Sequence, residues 1–269
     1  MNFKYLKNVT ETSADFYIYG AIVDDNTDFW TGEESKTDVD PIKLKEELDS
    51  LKNIKDLNIF INSSGGSVFA SSTMVSMLNR FRTNTGAKIH SFIDGLCASA
   101  STYLAMCADD INIYQNSIMM IHKPISFAIG NATDFQKEID TLDKIENDMM
   151  IPMYVKKSTK SEDEIKNLIN EETWFSGNPD SEDYIGNFFE VNYLEEANQK
   201  VACVSDKLFK NYKHIPKDLK NEKENNVEKE ENQCAIQNEV SNITITPIVN
   251  EDIDYSEYEK TIKELKEGN

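Results

Sequence analysis

The stretch Ile89-His90-Ser91-Phe92-Ile93-Asp94-Gly95-Leu96-Cys97-Ala98-Ser99-Ala100-Ser101 decides how the chain is read. Ile89 to Ile93 reads as a buried strand, and Thr102-Tyr103-Leu104-Ala105-Met106 beyond it reads as the first turns of a helix. Between them, residues 95–101 are small and carry serines. A serine at a strand-to-helix turn is well placed to be a nucleophile, because small neighbours let a carbonyl approach its hydroxyl. The helix start also offers unpaired N–H groups to a developing negative oxygen. The same residues equally suit a helix that only packs tightly.

The flanking segments extend the pattern. Leu57-Asn58-Ile59-Phe60-Ile61-Asn62 reads as a strand that ends at Ser63-Ser64-Gly65-Gly66-Ser67-Val68, and a helix follows from 69 to 82. The glycine pair allows close approach of backbone to a ligand. Neither GxxxxGK[ST] nor GxGxxG is present, which argues against nucleotide binding. Ile111–Tyr114 and Ser117–Pro124 read as further strands. Strands and helices alternating from 57 to 121 imply an α/β architecture with repeated crossovers.

Phe16–Ile22 is a further strand, and residues 24–40 read as an acidic loop holding Trp30. Asp40-Pro41 looks like a cap and first residue of a helix over 41–52. Thr133-Asp134-Phe135-Gln136 resembles a capping box. Phe135, Ile139, Leu142, Ile145 and Met149 follow at helical spacing, with an interruption expected near Pro152. That stripe needs cover, from its own domain or from another subunit. Ser161–Glu164 caps a short helix through Ile169. The segments 184–186 and 188–191 close the globular part, giving a domain over 1–204. Residues 205–269 hold 10 Lys against 15 Asp or Glu with few aromatics, and read as a mostly disordered acidic tail.

Composition narrows the function classes. With 28 Lys and Arg against 48 Asp and Glu, the net charge of −20 argues against nucleic acid and anionic membrane as partners. The four cysteines (Cys97, Cys107, Cys203, Cys234) show no disulfide or zinc spacing, so no metal or other cofactor is expected. No signal peptide or apolar run of membrane-spanning length is visible, and a cytoplasmic location is expected.

A serine nucleophile needs a base within reach and a carboxylate to orient that base. Of the three histidines, His214 lies in the polar tail, His90 sits beside Ile89 in a strand, and His122 ends an apolar strand. His122 is therefore the candidate partner of Ser99.

Three blocks in order resemble the ClpP family of self-compartmentalising serine peptidases. They are Ile61–Val68, Gly95–Ser99 and Met120-Ile121-His122-Lys123-Pro124, with Ser64 where the family usually has proline. The likeness covers roughly residues 15–195. It implies the ClpP/crotonase-like superfold of repeated β-β-α units with a projecting long helix. It implies Ser99 as nucleophile, His122 as general base, and the N–H groups of Gly66 and Ala100 as oxyanion hole. The third member normally is aspartate; Glu172 stands at the matching place, and Glu171 is the fallback.

The acidic loop, the Glu172-Thr173-Trp174-Phe175 block and the acidic tail resemble ClpP-related head maturation proteases of tailed phages and prophages. That likeness implies an ATP-independent serine endopeptidase in host cytoplasm, acting on protein substrates such as scaffold and capsid proteins. It also implies a homo-oligomeric ring, a heptamer or stacked double ring. The alternatives are a degradative subunit serving a Clp ATPase, a crotonase-like acyl-CoA enzyme, and an inactive structural ring.

Overall fold

A computed structural model describes residues 4–27, 33–35 and 37–195. Trp30 and the expected tail lie outside the described residues. The elements in chain order are β1 (Leu6–Lys7), β2 (Ser13–Tyr19), α1 (Pro41–Ser50), β3 (Asp56–Ser63), α2 (Val68–Thr85), β4 (Lys88–Ala98) and α3 (Thr102–Cys107). There follow β5 (Asp110–Tyr114), β6 (Ile118–Ile121), α4 (Ala132–Ile145), α5 (Ile151–Lys157), α6 (Glu162–Asn170), β7 (Thr173–Ser176) and β8 (Asn192–Leu194).

The helices start where capping chemistry allows. Asp40 accepts a hydrogen bond from Lys43 N–H at 2.9 Å, with Pro41 opening α1. Ser161 and Glu164 form a capping box at α6. At α4 the expected box is displaced: Asn131, not Thr133, is the cap, and Asp134 closes the box. Asn, Thr and Asp are all competent caps, so three of them within Asn131–Asp134 leave the start ambiguous by a residue or two. The regular helix is interrupted near Pro152, as expected. A π-turn over Glu146–Met150 precedes it, so the missing N–H falls where the regular ladder has already opened. Only Ile145 of α4 is buried, so this helix stands clear of its own domain's core.

β2, β3, β4 and β5 run parallel, with β1 antiparallel at one edge and β8 parallel at the other. Alternation along β2 to β4 buries Phe16, Ile18, Ile59, Ile61, Ile89 and Ile93 on one face. The opposite face carries Tyr17, Phe60 and Phe92 as a stack with 4.9 Å between successive ring centroids. These three rings are only half-buried.

β4 is longer than expected from the sequence, running past Ile93 to Ala98. It also changes partner: His90–Ile93 pair with β5, whereas Leu96–Ala98 pair with β6. The sheet therefore forks at Asp94-Gly95. β7 then pairs antiparallel with β6. The fork carries the ends of β4, β6 and β7 away from the main sheet together.

Candidate active site

Ser99 is the first residue after β4 and has φ +55, in the left-handed region that non-glycine residues rarely occupy. Such a backbone costs about 1–3 kcal/mol and persists only where its surroundings impose it. Here hydroxyls impose it. Ser101 Oγ lies 2.7 Å from the Ala98 carbonyl and 3.1 Å from that of Ser63. Ser71 donates to the Ala100 carbonyl at 2.6 Å. Thr102 donates to the Ser99 carbonyl at 2.6 Å, which leaves its oxygen to accept from the Tyr154 hydroxyl at 2.6 Å. A short 3₁₀ turn over Ser99–Ser101 leads into α3, so the regular helix begins three residues after the serine.

His122 follows β6 by one residue. Because β6 runs parallel to the end of β4, with Ala98 level with Met120, both chains leave the sheet at the same end. His122 Nε2 lies 2.7 Å from Ser99 Oγ. Two side chains 23 residues apart in sequence thus share a hydrogen bond.

Glu172 immediately precedes β7. The rungs are Ile118–Ser176, Met119–Phe175, Met120–Trp174 and Ile121–Thr173, so Glu172 and His122 each stand one residue beyond the same end of the ladder. Glu172 is 7% exposed and has φ +52. Glu171 is exposed and ends α6. Glu172, the first choice from the sequence, is thus buried, and Glu171, the fallback, is exposed.

The glycine pair packs against the serine turn. Gly66 forms a parallel bridge with Ile22: Ile22 N–H donates to Gly65 at 2.9 Å, and Ser67 N–H donates to Ile22 at 2.8 Å. In that geometry the N–H of Gly66 itself points away from Ile22. A Cβ on Gly65 would lie 2.7 Å from Ala100 N and 2.9 Å from Ser99 Cβ. Backbone approach this close is possible only without a side chain. It sets Gly66 and Ala100, the two sequence-named amides, beside the serine turn.

The other candidates fall elsewhere. His90 sits near the opposite end of β4, 2.7 Å from Asp110 and 3.4 Å from Asp56. His214 lies outside the described residues. Cys97, two residues before Ser99, is wholly buried, and burial pushes its thiol up to about 12, so it stays protonated. Among the described residues no group of three or more His, Cys, Asp or Glu could hold a metal ion. No described helix is long and apolar enough to cross a membrane.

Sequence reasoning missed the supporting hydroxyls. Ser71, Ser101 and Thr102 are fully buried polar residues in apolar surroundings. That pattern hints at structural hydrogen bonds but names no partner. Tyr154 lies 52 residues from Thr102, and nothing local in the sequence connects them.

A family model described as Clp protease matches residues 18–184. The ATP-dependent Clp protease proteolytic subunit of Ligilactobacillus salivarius is 32% identical over 91 residues, 33% of this chain and 44% of that relative. ATP-dependent Clp protease proteolytic subunit 2 of a Synechococcus species and of Parasynechococcus marenigrum are each 31% identical over 91 residues, with the same coverage of 33% and 44%. The chain therefore spans less than half the length of the curated relatives it matches.

Proposed function

The chain belongs to the Clp protease family, and on that premise we propose that it is a serine endopeptidase working through an acyl-enzyme. The observation that carries the proposal is the 2.7 Å approach of His122 Nε2 to Ser99 Oγ. Ser99 attacks the scissile carbonyl while His122 takes its proton. The carbonyl oxygen, now negative, is held by the N–H groups of Gly66 and Ala100. His122 then returns the proton to the leaving amine, and the acyl group stays on Ser99. Water, deprotonated by His122, releases it by the same path in reverse. Glu172 orients the imidazole and stabilises its charged form. Cleavage of a fluorogenic peptide mixture by the full chain, and its loss in Ser99→Ala, tests this reading.

The setting we propose is ATP-independent cleavage of scaffold and capsid proteins during head maturation. The acidic loop, the Glu172–Phe175 block and the acidic composition after residue 204 support it. We propose a homo-oligomeric ring, single or stacked. Ile125, Phe127, Ile129, Phe135 and Ile139 are large apolar residues left exposed around α4, and a second copy would cover them.

A second reading is a degradative subunit fed by a Clp ATPase. The names of the relatives favour it, and so does the half-exposed stack of Tyr17, Phe60 and Phe92, an apolar surface of the kind a partner protein contacts. Degradation of a folded protein that requires an added unfoldase and ATP would select this reading. Cleavage of unfolded protein at an undiminished rate without ATP would select the first.

A further inference from the structure

The helical segment from Ala132 to Lys157 touches the candidate site at two places, on either side of its π-turn. At the start of the turn Glu146 is 8% exposed, and its carboxylate lies 3.2 Å from Lys123 Nζ. Lys123 is the residue after His122. Beyond the turn Tyr154 is fully buried, and its hydroxyl lies 2.6 Å from Thr102 Oγ1, which lies 2.6 Å from the Ser99 carbonyl oxygen. One helix thus reaches the base segment through one side chain and the serine turn through another.

The π-turn makes both contacts compatible. Ile151 N–H donates to the Glu146 carbonyl, five residues back instead of four. Taking out that extra residue would rotate one end of the helix against the other by about 100° and shift it by about 1.5 Å. Glu146 and Tyr154 could not then both reach their partners. π-turns are uncommon and recur at functional sites. The Glu146 side chain is nearly buried and that of Lys123 half-exposed, so the contact ties the residue next to His122 to the start of the π-turn.

We propose that Glu146 and Tyr154 are positioning residues for the Ser99–His122 pair, acting through Lys123 and Thr102, with the π-turn setting their common register. The inference rests on the peptidase reading above and adds the helix as the element that fixes the distance between base and nucleophile.

The test uses the full chain and the second-order rate of labelling by a fluorophosphonate, followed against pH, with thermal unfolding measured alongside. Wild type must label at Ser99. Glu146→Gln and Tyr154→Phe are each expected to lower the rate by on the order of tenfold or more while the fold persists, as misplacement of a reacting group does. Glu146→Lys alone is expected to lose more, and the exchange Lys123→Glu with Glu146→Lys to recover most of that loss. A general loss of packing would not be recovered in this way. Wild-type labelling rates at every pH in both Glu146→Gln and Tyr154→Phe would overturn the inference and leave the peptidase reading standing, as would failure of the exchange to recover any labelling. Absence of Ser99 labelling in the wild type would overturn both.

Discussion

Glu172 and His122 each stand one residue beyond the last rung of the β6–β7 ladder, the one between Thr173 and Ile121. Antiparallel neighbours in register come within side-chain reach. In the proposed mechanism the orienting carboxylate is therefore the buried Glu172 and not the exposed Glu171. Glu172→Gln keeps the volume and the same backbone requirement and removes only the charge. Its kcat should fall by on the order of 10²–10⁴-fold with KM little changed. The same substitution at Glu171 should stay within about twofold, as an exposed change would. Steady-state kinetics on one peptide substrate checks both.

Gly65 has φ +85, and a Cβ there would sit 2.5 Å from the Ala98 carbonyl oxygen and 2.7 Å from Ala100 N. Gly65→Ala must push the serine turn away. It should cost about 1–3 kcal/mol in stability and abolish detectable cleavage. Chemical denaturation and peptide hydrolysis together measure the two effects. Cleavage at the wild-type rate would mean that the turn does not need this close approach.

Asp94, at the fork of β4, is hydrogen-bonded to the Tyr19 hydroxyl. Burial lifts its carboxyl above the ordinary 3.8, an effect only partly offset by that hydrogen bond. A carboxyl raised in the folded state is protonated more readily there than in the unfolded chain. Its ionisation therefore lowers stability as pH rises above 3.8 through the folded value. Asp94→Asn keeps an acceptor for Tyr19 and removes the charge. It should raise the thermal midpoint at neutral pH and leave it unchanged at pH values below 3.8, where the native carboxyl is already neutral. A lower midpoint at neutral pH would contradict this.

Phe135 and Ile139 are 46% and 50% exposed on α4. Replacing both by glutamate should lower the assembled mass seen by sedimentation velocity, because charges would then stand where apolar cover is needed. Assembly unchanged by the double replacement would place the subunit contact on another surface.

The meeting of Ser99 and His122 was legible because each carries a local signal. Ser99 and His122 each sit at the end of an apolar strand, and Ser161 with Glu164 spells a helix start in four residues. The sheet's fork was not legible. Gly95 and the small residues after it read as a turn, yet Leu96–Ala98 stay extended because β6 arrives to pair with them. Thr173–Ser176 is too short to announce a strand, and only its pairing with β6 makes it one. The π-turn was hidden because the apolar spacing through Met149 fits a plain α-helix equally well. The support of Ser99 by Thr102 and Tyr154 depends on two segments 52 residues apart, and such contacts leave no periodic trace.

In the proposed mechanism Ser99 is a nucleophile activated by His122. Intact-mass spectrometry of the full chain after fluorophosphonate treatment, with peptide mapping, tests it most directly. One adduct per chain is expected, located on Ser99, absent in Ser99→Ala and formed far more slowly in His122→Ala. An adduct that survives in Ser99→Ala, or an unmodified wild type, would contradict Ser99 as the nucleophile.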